Sequence, residues 1–231
     1  PQHNLFVHFW RRDRGVIGLV LKMGSAIGIT SLAEAGLFSA SSIMMGWVGQ
    51  LELAAHGIAL QLASVTFMLH LGLSDAATIR VSSALGKKDK HEIIYECWAA
   101  LVISLGLSSL AILIFLGFPK LLISAFLNSE EFNANLIVEL GISLLALAAL
   151  FQSVDGGQAL AIHLLRGLHD TTIPMYLAVI SYWIIGLPSG YILSFHYNFG
   201  AQGIWLGLVI GLGFACLFLF LRLIKNLKSL S

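Results

Sequence analysis

The sequence predicts an all-α membrane protein, six transmembrane helices packed as one bundle. Three observations predict it. First, 58% of the 231 residues are hydrophobic and only 11% are charged, with a mean hydropathy of +0.88. A soluble domain carries about 45–50% apolar and about 25% charged residues, so this chain has too little charge to cover a water-facing surface. Second, the apolar residues fall into six runs, each at least as long as the roughly 20 helical residues that cross a bilayer. Third, lysine and arginine are confined almost wholly to alternate ends of those runs, as the positive-inside rule requires.

Residues 1–15 are basic through Arg11, Arg12 and Arg14 and read as a cytoplasmic interfacial segment, with Trp10 as an anchor. The bundle is expected over about 16–225, with spans at about 16–48, 52–84, 93–118, 133–165, 172–195 and 202–223, and a cytoplasmic tail at about 226–231. In the first span Lys22 snorkels and Gly24 and Gly28 offer a small-xxx-small face for close helix approach. Trp47 marks the far interface and Gly49-Gln50 turns the chain. The second span is the most polar, holding His56, Gln61, His70, Asp75 and Arg80, and ends in the basic loop Gly86 to Lys90. Pro119 ends the third span, and a loop with Asn128, Glu130 and Glu131 follows. The fourth span holds Asp155. Thr171 and Thr172 are placed to cap the fifth, with Pro174 in its first turn and Pro188 predicting a kink. The sixth presents Gly203, Gly207 and Gly211 along one face.

The charge distribution tests this segmentation. Six spans put Arg11, Arg12, Arg14, Lys87, Lys88, Lys90, Arg166, Arg222, Lys225 and Lys228 on one side, ten of the 13 basic residues. The opposite side keeps only Lys120, while Lys22 and Arg80 lie within spans. Both termini are therefore expected in the cytoplasm. The chain starts at Pro1 without a signal-peptide pattern, which reads as a piece of something longer.

Glu34, in ITSLAEAGLF, and Asp155, in FQSVDGGQ, carry the chemistry. A carboxylate at membrane depth is costly and by default lines an ion or substrate path. The bland alternative is a carboxylate permanently satisfied by a neighbouring hydroxyl or backbone group. In the functional reading the pair couples transport to a cation. It either exchanges a proton or holds a sodium ion, with Ser39, Ser42, Ser153 or carbonyls near Gly156 completing the oxygen shell. The sequence leaves both open. Asp75 lies deep in the second span without an evident partner, and Arg80, five residues on, reads as reaching the interface. Phe151, Ser153, Gln158 and Tyr182 are accessory candidates lining a substrate path. Phe38, Phe67, Tyr176 and Trp183 offer further cation–π faces, or equally pack and face lipid.

His56, His70 and His163 read as hydrogen-bonded packing residues, and Cys97 and Cys216 as packing residues without disulfide or metal spacing. There is no zinc or haem ligand spacing, no phosphate loop for ATP hydrolysis and no catalytic triad, so an enzyme is not expected. No cofactor is expected beyond the coupling sodium ion or proton, and no nucleic-acid partner.

Three stretches in order resemble the MATE family of multidrug and toxic compound extrusion transporters, specifically its C-terminal half. They are GSAIGITSLAEAGLFSASSIMMGWVG with Glu34, LAAHGIALQLASVTFMLHLGLSDAATIRVSSALGKKD, and LFQSVDGGQALAIHLLRGLHDTTIP with Asp155. The resemblance implies a protein of two six-helix bundles that alternate access and exchange sodium ions or protons for organic cations. Glu34 and Asp155 match the family's acidic coupling positions. Three departures accompany it: Ser82 stands where glycine is frequent, Asp75 is an unusual acid, and Phe151 replaces a tyrosine found in some sodium-coupled members. An N-terminal six-helix half is the expected partner, on this chain or another. The bilayer of a bacterial inner membrane is the expected setting. Two other readings remain: a lipid-linked oligosaccharide flippase, which needs cationic cavity residues, and a truncated remnant that does not transport.

Overall fold

The computed structural model describes residues 14–127 and 133–229. Most of the interfacial segment, with Trp10, Arg11 and Arg12, lies outside the described residues, as do Asn128, Glu130 and Glu131 of the outer loop and the last two residues of the tail. The described chain is helical throughout, in the order α1 (Arg14–Val48), α2 (Gln50–Lys87), α3 (Lys90–Gly117), α4 (Pro119–Ser124), α5 (Ala134–Gly167), α6 (Thr172–His196) and α7 (Gly200–Ser229). All but the short α4 are long and apolar enough to cross a membrane, giving six spans. This is the bundle the hydropathy predicts.

The boundaries follow local chemistry. Asp89 caps α3 by accepting from the Glu92 amide at 3.0 Å, so the basic loop shrinks to two residues between α2 and α3. Lys88 takes the left-handed conformation that closes α2. Pro119 does end the third span, and it also starts α4 at a position where its missing amide is no loss. Two local expectations fail. Thr171 occupies the cap position of α6, but its side chain makes no capping bond; the helix begins on the Met175 amide to Thr171 carbonyl bond alone, at 3.1 Å. No break sets off a tail at residue 226, because α7 stays helical to Ser229.

The fifth span absorbs Pro188 with wide turns. Residues Ser181–Gly186 and Ile192–His196 form π-helix, flanking an α-helical Leu187–Tyr191. A proline cannot donate to the preceding turn, and a π-bulge is one way a helix accommodates this.

The core sits around α5, which packs against α2, α3 and α7 and is buried along most of its length after Leu144. The α6 and α7 helices meet through Gly186 and Gly190 on one side and Gly203, Gly207 and Gly211 on the other. Close backbone approach between small residues is how helices associate in lipid, where the hydrophobic effect gives no drive. The Gly24 and Gly28 face, expected to do the same, meets nothing within 4 Å of a β-carbon placed there. The contact expected of it does not form among the described residues.

Candidate functional site

Because α5 is central, polar residues on it are carried inside the bundle. Gln152, Asp155 and Gln158 recur every three residues, so they share one helix face, and all three are buried. From α1, Glu34 meets this face: the Gln158 side-chain amide donates to Glu34 Oε1 at 3.1 Å. From α6, the buried Tyr182 hydroxyl donates to Gln158 Oε1 at 2.8 Å. The phenol therefore fixes the amide so that its NH2 faces the carboxylate. Beside it, the Trp183 indole donates to the Ala33 carbonyl at 3.1 Å, tying α6 to α1.

Asp155 is only 2% exposed, and its Oδ1 has no hydrogen-bond partner among the described residues. Gln152 shares this condition. Its amide nitrogen donates to the Ala63 carbonyl at 2.9 Å and to the Thr66 hydroxyl, while its Oε1 is left without a donor. Glu34 and Asp155 line a single cavity of about 490 Å³ between α1, α2 and α5, with Phe38, Phe67 and Phe151 around them. That volume is within the range of small-molecule sites, roughly 300–1,000 Å³. Both ionisable groups on its wall are acidic, so its field favours cations.

The remaining candidates separate. Phe151 stands edge-on between Phe38 and Trp205, at centroid distances of 6.0 and 5.7 Å. Tyr176 is exposed and away from the cavity, and Tyr182 lies behind Gln158. Ser153 is exposed and bonds its own helix at the Leu150 carbonyl; two residues from Asp155, it sits on the other side of α5. Ser39 bonds the Ala35 carbonyl, and Ser42 bonds the Phe38 carbonyl and His56, so none of these three hydroxyls joins the acids. Serines that do line the cavity are Ser31 and Ser64. Gly156 packs on the ring of His70, which lies between Ser104 and Ser108 at 3.1 and 3.3 Å.

Asp75, expected without a partner, has one: its Oδ1 is 3.3 Å from His163 Nε2 on α5. Arg80 forks onto Glu96 of α3 at 2.5 and 2.6 Å. Sequence reasoning overlooked Gln152 and Arg166. The signal for Gln152 was the three-residue recurrence of polar side chains through an apolar run, which also marks the inward face. The three histidines are hydrogen-bonded packing residues, as read.

A family model described as MatE matches residues 26–192. The chain belongs to the MatE family. It is 40% identical over 230 residues to a probable multidrug resistance protein NorM of Brucella suis, covering all of this chain and 49% of that protein. With the corresponding protein of Agrobacterium fabrum the identity is 44% over 227 residues, covering 98% and 49%. A solved MATE structure in complex with MaL6 matches with a TM-score of 0.86 at 18% identity, over 97% of this chain and 50% of that one, which establishes the fold. This MatE chain spans about half the length of the curated relatives it matches. A flippase built to meet a pyrophosphate finds no support in these relatives, and the acidic cavity wall of the MatE chain is of the wrong sign for it.

Proposed function

We propose that this chain is one six-helix half of a secondary antiporter. It exports organic cations or drugs in exchange for sodium ions or protons, with Glu34 and Asp155 as the exchange sites. The observation that carries the reading is the meeting of two carboxylates from α1 and α5 on one aromatic cavity, Asp155 buried with an oxygen that nothing donates to. Such an oxygen is stabilised by a cation or by its own proton. An organic cation and a coupling ion then compete for the same two carboxylates, and this competition is what an exchanger needs. Phe38, Phe67 and Phe151 supply the ring faces that hold a flat cation. For sodium, Gln152 Oε1 adds a third oxygen on the face of Asp155. The coupling ion thus stays a choice between sodium and proton.

The relatives' length supports a partner half, since transporter sites form at the interface of two repeats. The location that goes with this reading is a bacterial inner membrane, with both termini cytoplasmic by the lysine and arginine asymmetry.

The test is dye export from proteoliposomes by the full natural protein, under imposed sodium and proton gradients in turn. Asp155→Asn and Glu34→Gln each abolish gradient-driven movement in this reading, and the effective gradient names the ion. Wild-type rates in both variants would remove the two carboxylates from the coupling site.

A further inference from the structure

The clearest unassigned chemistry lies outside the cavity, where α2 and α5 close on each other. Thr78 of α2 donates to the His163 carbonyl at 2.9 Å, and Ser82 donates to the Gly167 carbonyl at 3.0 Å. Between these ties stands the His163 ring. Its Nδ1 is 2.7 Å from the Ala159 carbonyl. A carbonyl only accepts, so Nδ1 carries a hydrogen whatever the ring's charge. Everything else then falls on Nε2, which has two neighbours of opposite kind. Arg166 Nη1 lies 3.2 Å away and can only donate; Asp75 Oδ1 lies 3.3 Å away and, ionised, can only accept. The neutral ring offers a lone pair at Nε2, which suits Arg166. The protonated ring offers an N–H, which suits Asp75 and places a positive charge against the guanidinium.

We propose that His163 is a proton-binding site separate from the cavity, and that the proton it takes switches its Nε2 from Arg166 on α5 to Asp75 on α2. The proton comes from solvent by way of Asp75, whose side chain is 64% exposed while that of His163 is 10% exposed. It is taken up at Nε2 and returned along the same path, with no other bond made or broken. The ligand is the proton alone. Among the described residues the charged groups acting on the ring are Asp75 of α2 and Arg166 of α5. Glu34 of α1 and Tyr182 of α6 act in turn on Arg166. Uptake at His163 therefore adds a cross-helix ion pair between α2 and α5 and releases a guanidinium on the cavity side of the same helix. The site does not depend on the antiporter reading, since it binds its proton whatever the protein carries.

The test is a pH titration of ¹⁵N-histidine by nuclear magnetic resonance on the full natural protein in lipid nanodiscs, with His163→Gln assigning the signal. In the wild type Nε2 passes from acceptor to N–H as pH falls, while Nδ1 stays protonated. Asp75→Asn removes the partner of the charged ring and moves the curve to lower pH by about one unit. Arg166→Gln removes the partner of the neutral ring and its repulsion, and moves the curve to higher pH by a similar amount. An unmoved curve in either variant, movement in the same direction in both, or a hydrogen leaving Nδ1 overturns the proposal. Should Arg166→Gln fail to fold, Asp75→Asn alone decides, because its exposed side chain is replaced by one of the same shape.

Discussion

Gly211 of α7 and Gly186 of α6 lie backbone against backbone: a β-carbon on Gly211 would stand 2.6 Å from the Gly186 α-carbon. Backbone cannot rotate away as a side chain does, so the two helices would have to separate. Gly211→Ala is expected to destabilise the protein by about 1–3 kcal/mol. Gly213→Ala, where the nearest atom is Val154 Cγ1 at 3.9 Å, is the neutral control. Thermal unfolding in detergent compares them, and equal midpoints would contradict the close contact.

Tyr182→Phe removes the donor that holds Gln158 Oε1. A buried acceptor left unpaired costs about 1–3 kcal/mol. The freed amide turns its oxygen toward Glu34 in part of the population, which repels the carboxylate. Lower stability and weaker binding of an organic-cation dye are expected together. A variant that loses stability but keeps its dye affinity would show that the amide holds its orientation without the phenol.

Phe151→Ala empties the space between Phe38 and Trp205. Loss of a fully buried phenylalanine costs about 3–5 kcal/mol. Phe151→Leu is expected to retain most of that stability while losing the ring face. The alanine variant should therefore fall in unfolding temperature and dye affinity, the leucine variant mainly in affinity. If leucine binds the dye as the wild type does, Phe151 is packing alone.

Asp170, in the turn between α5 and α6, accepts from Arg222 at 2.8 Å and from Asn226 at 2.7 Å. These bonds hold the end of α7 against the rest of the bundle. Hydrogen bonds to a charged group contribute about 1.5–3 kcal/mol each. In Asp170→Ala, amide hydrogen exchange is expected to speed up across the last turns of α7 and not in α3. Unchanged exchange at Leu223 and beyond would show that the apolar face of α7 suffices.

The spans were legible because lipid demands long apolar helices whatever their tertiary contacts. Glu34 and Asp155 were legible for the same reason, since a carboxylate in such a run stands out. Partners were not. Gly24 and Gly28 have the spacing of Gly207 and Gly211, yet only the second pair meets a neighbour, because spacing permits close approach without saying what approaches. Ser153 is adjacent to Asp155 in sequence and away from it in space, while Gln152, one turn back, shares its face. A hundred degrees of helix per residue decides that. Asp75 looked unpartnered because His163 lies 88 positions on, beyond any local pattern.

The π-helical turns of α6 have a consequence for what this helix tolerates in its length. A π turn holds one more residue than an α turn, so the chain beyond it is rotated by about 100° relative to a regular helix. Gly186 and Gly190 face α7 with the Ser181–Gly186 turn widened in this way. Removing one residue from that stretch would let it relax to regular helix and swing everything after it out of phase, Gly190 included. Point substitutions on the lipid side of α6, such as Ile184 at 68% exposure, leave that phase intact. Residue count through Ser181–Gly186 is thus more tightly constrained than residue identity on its outward face.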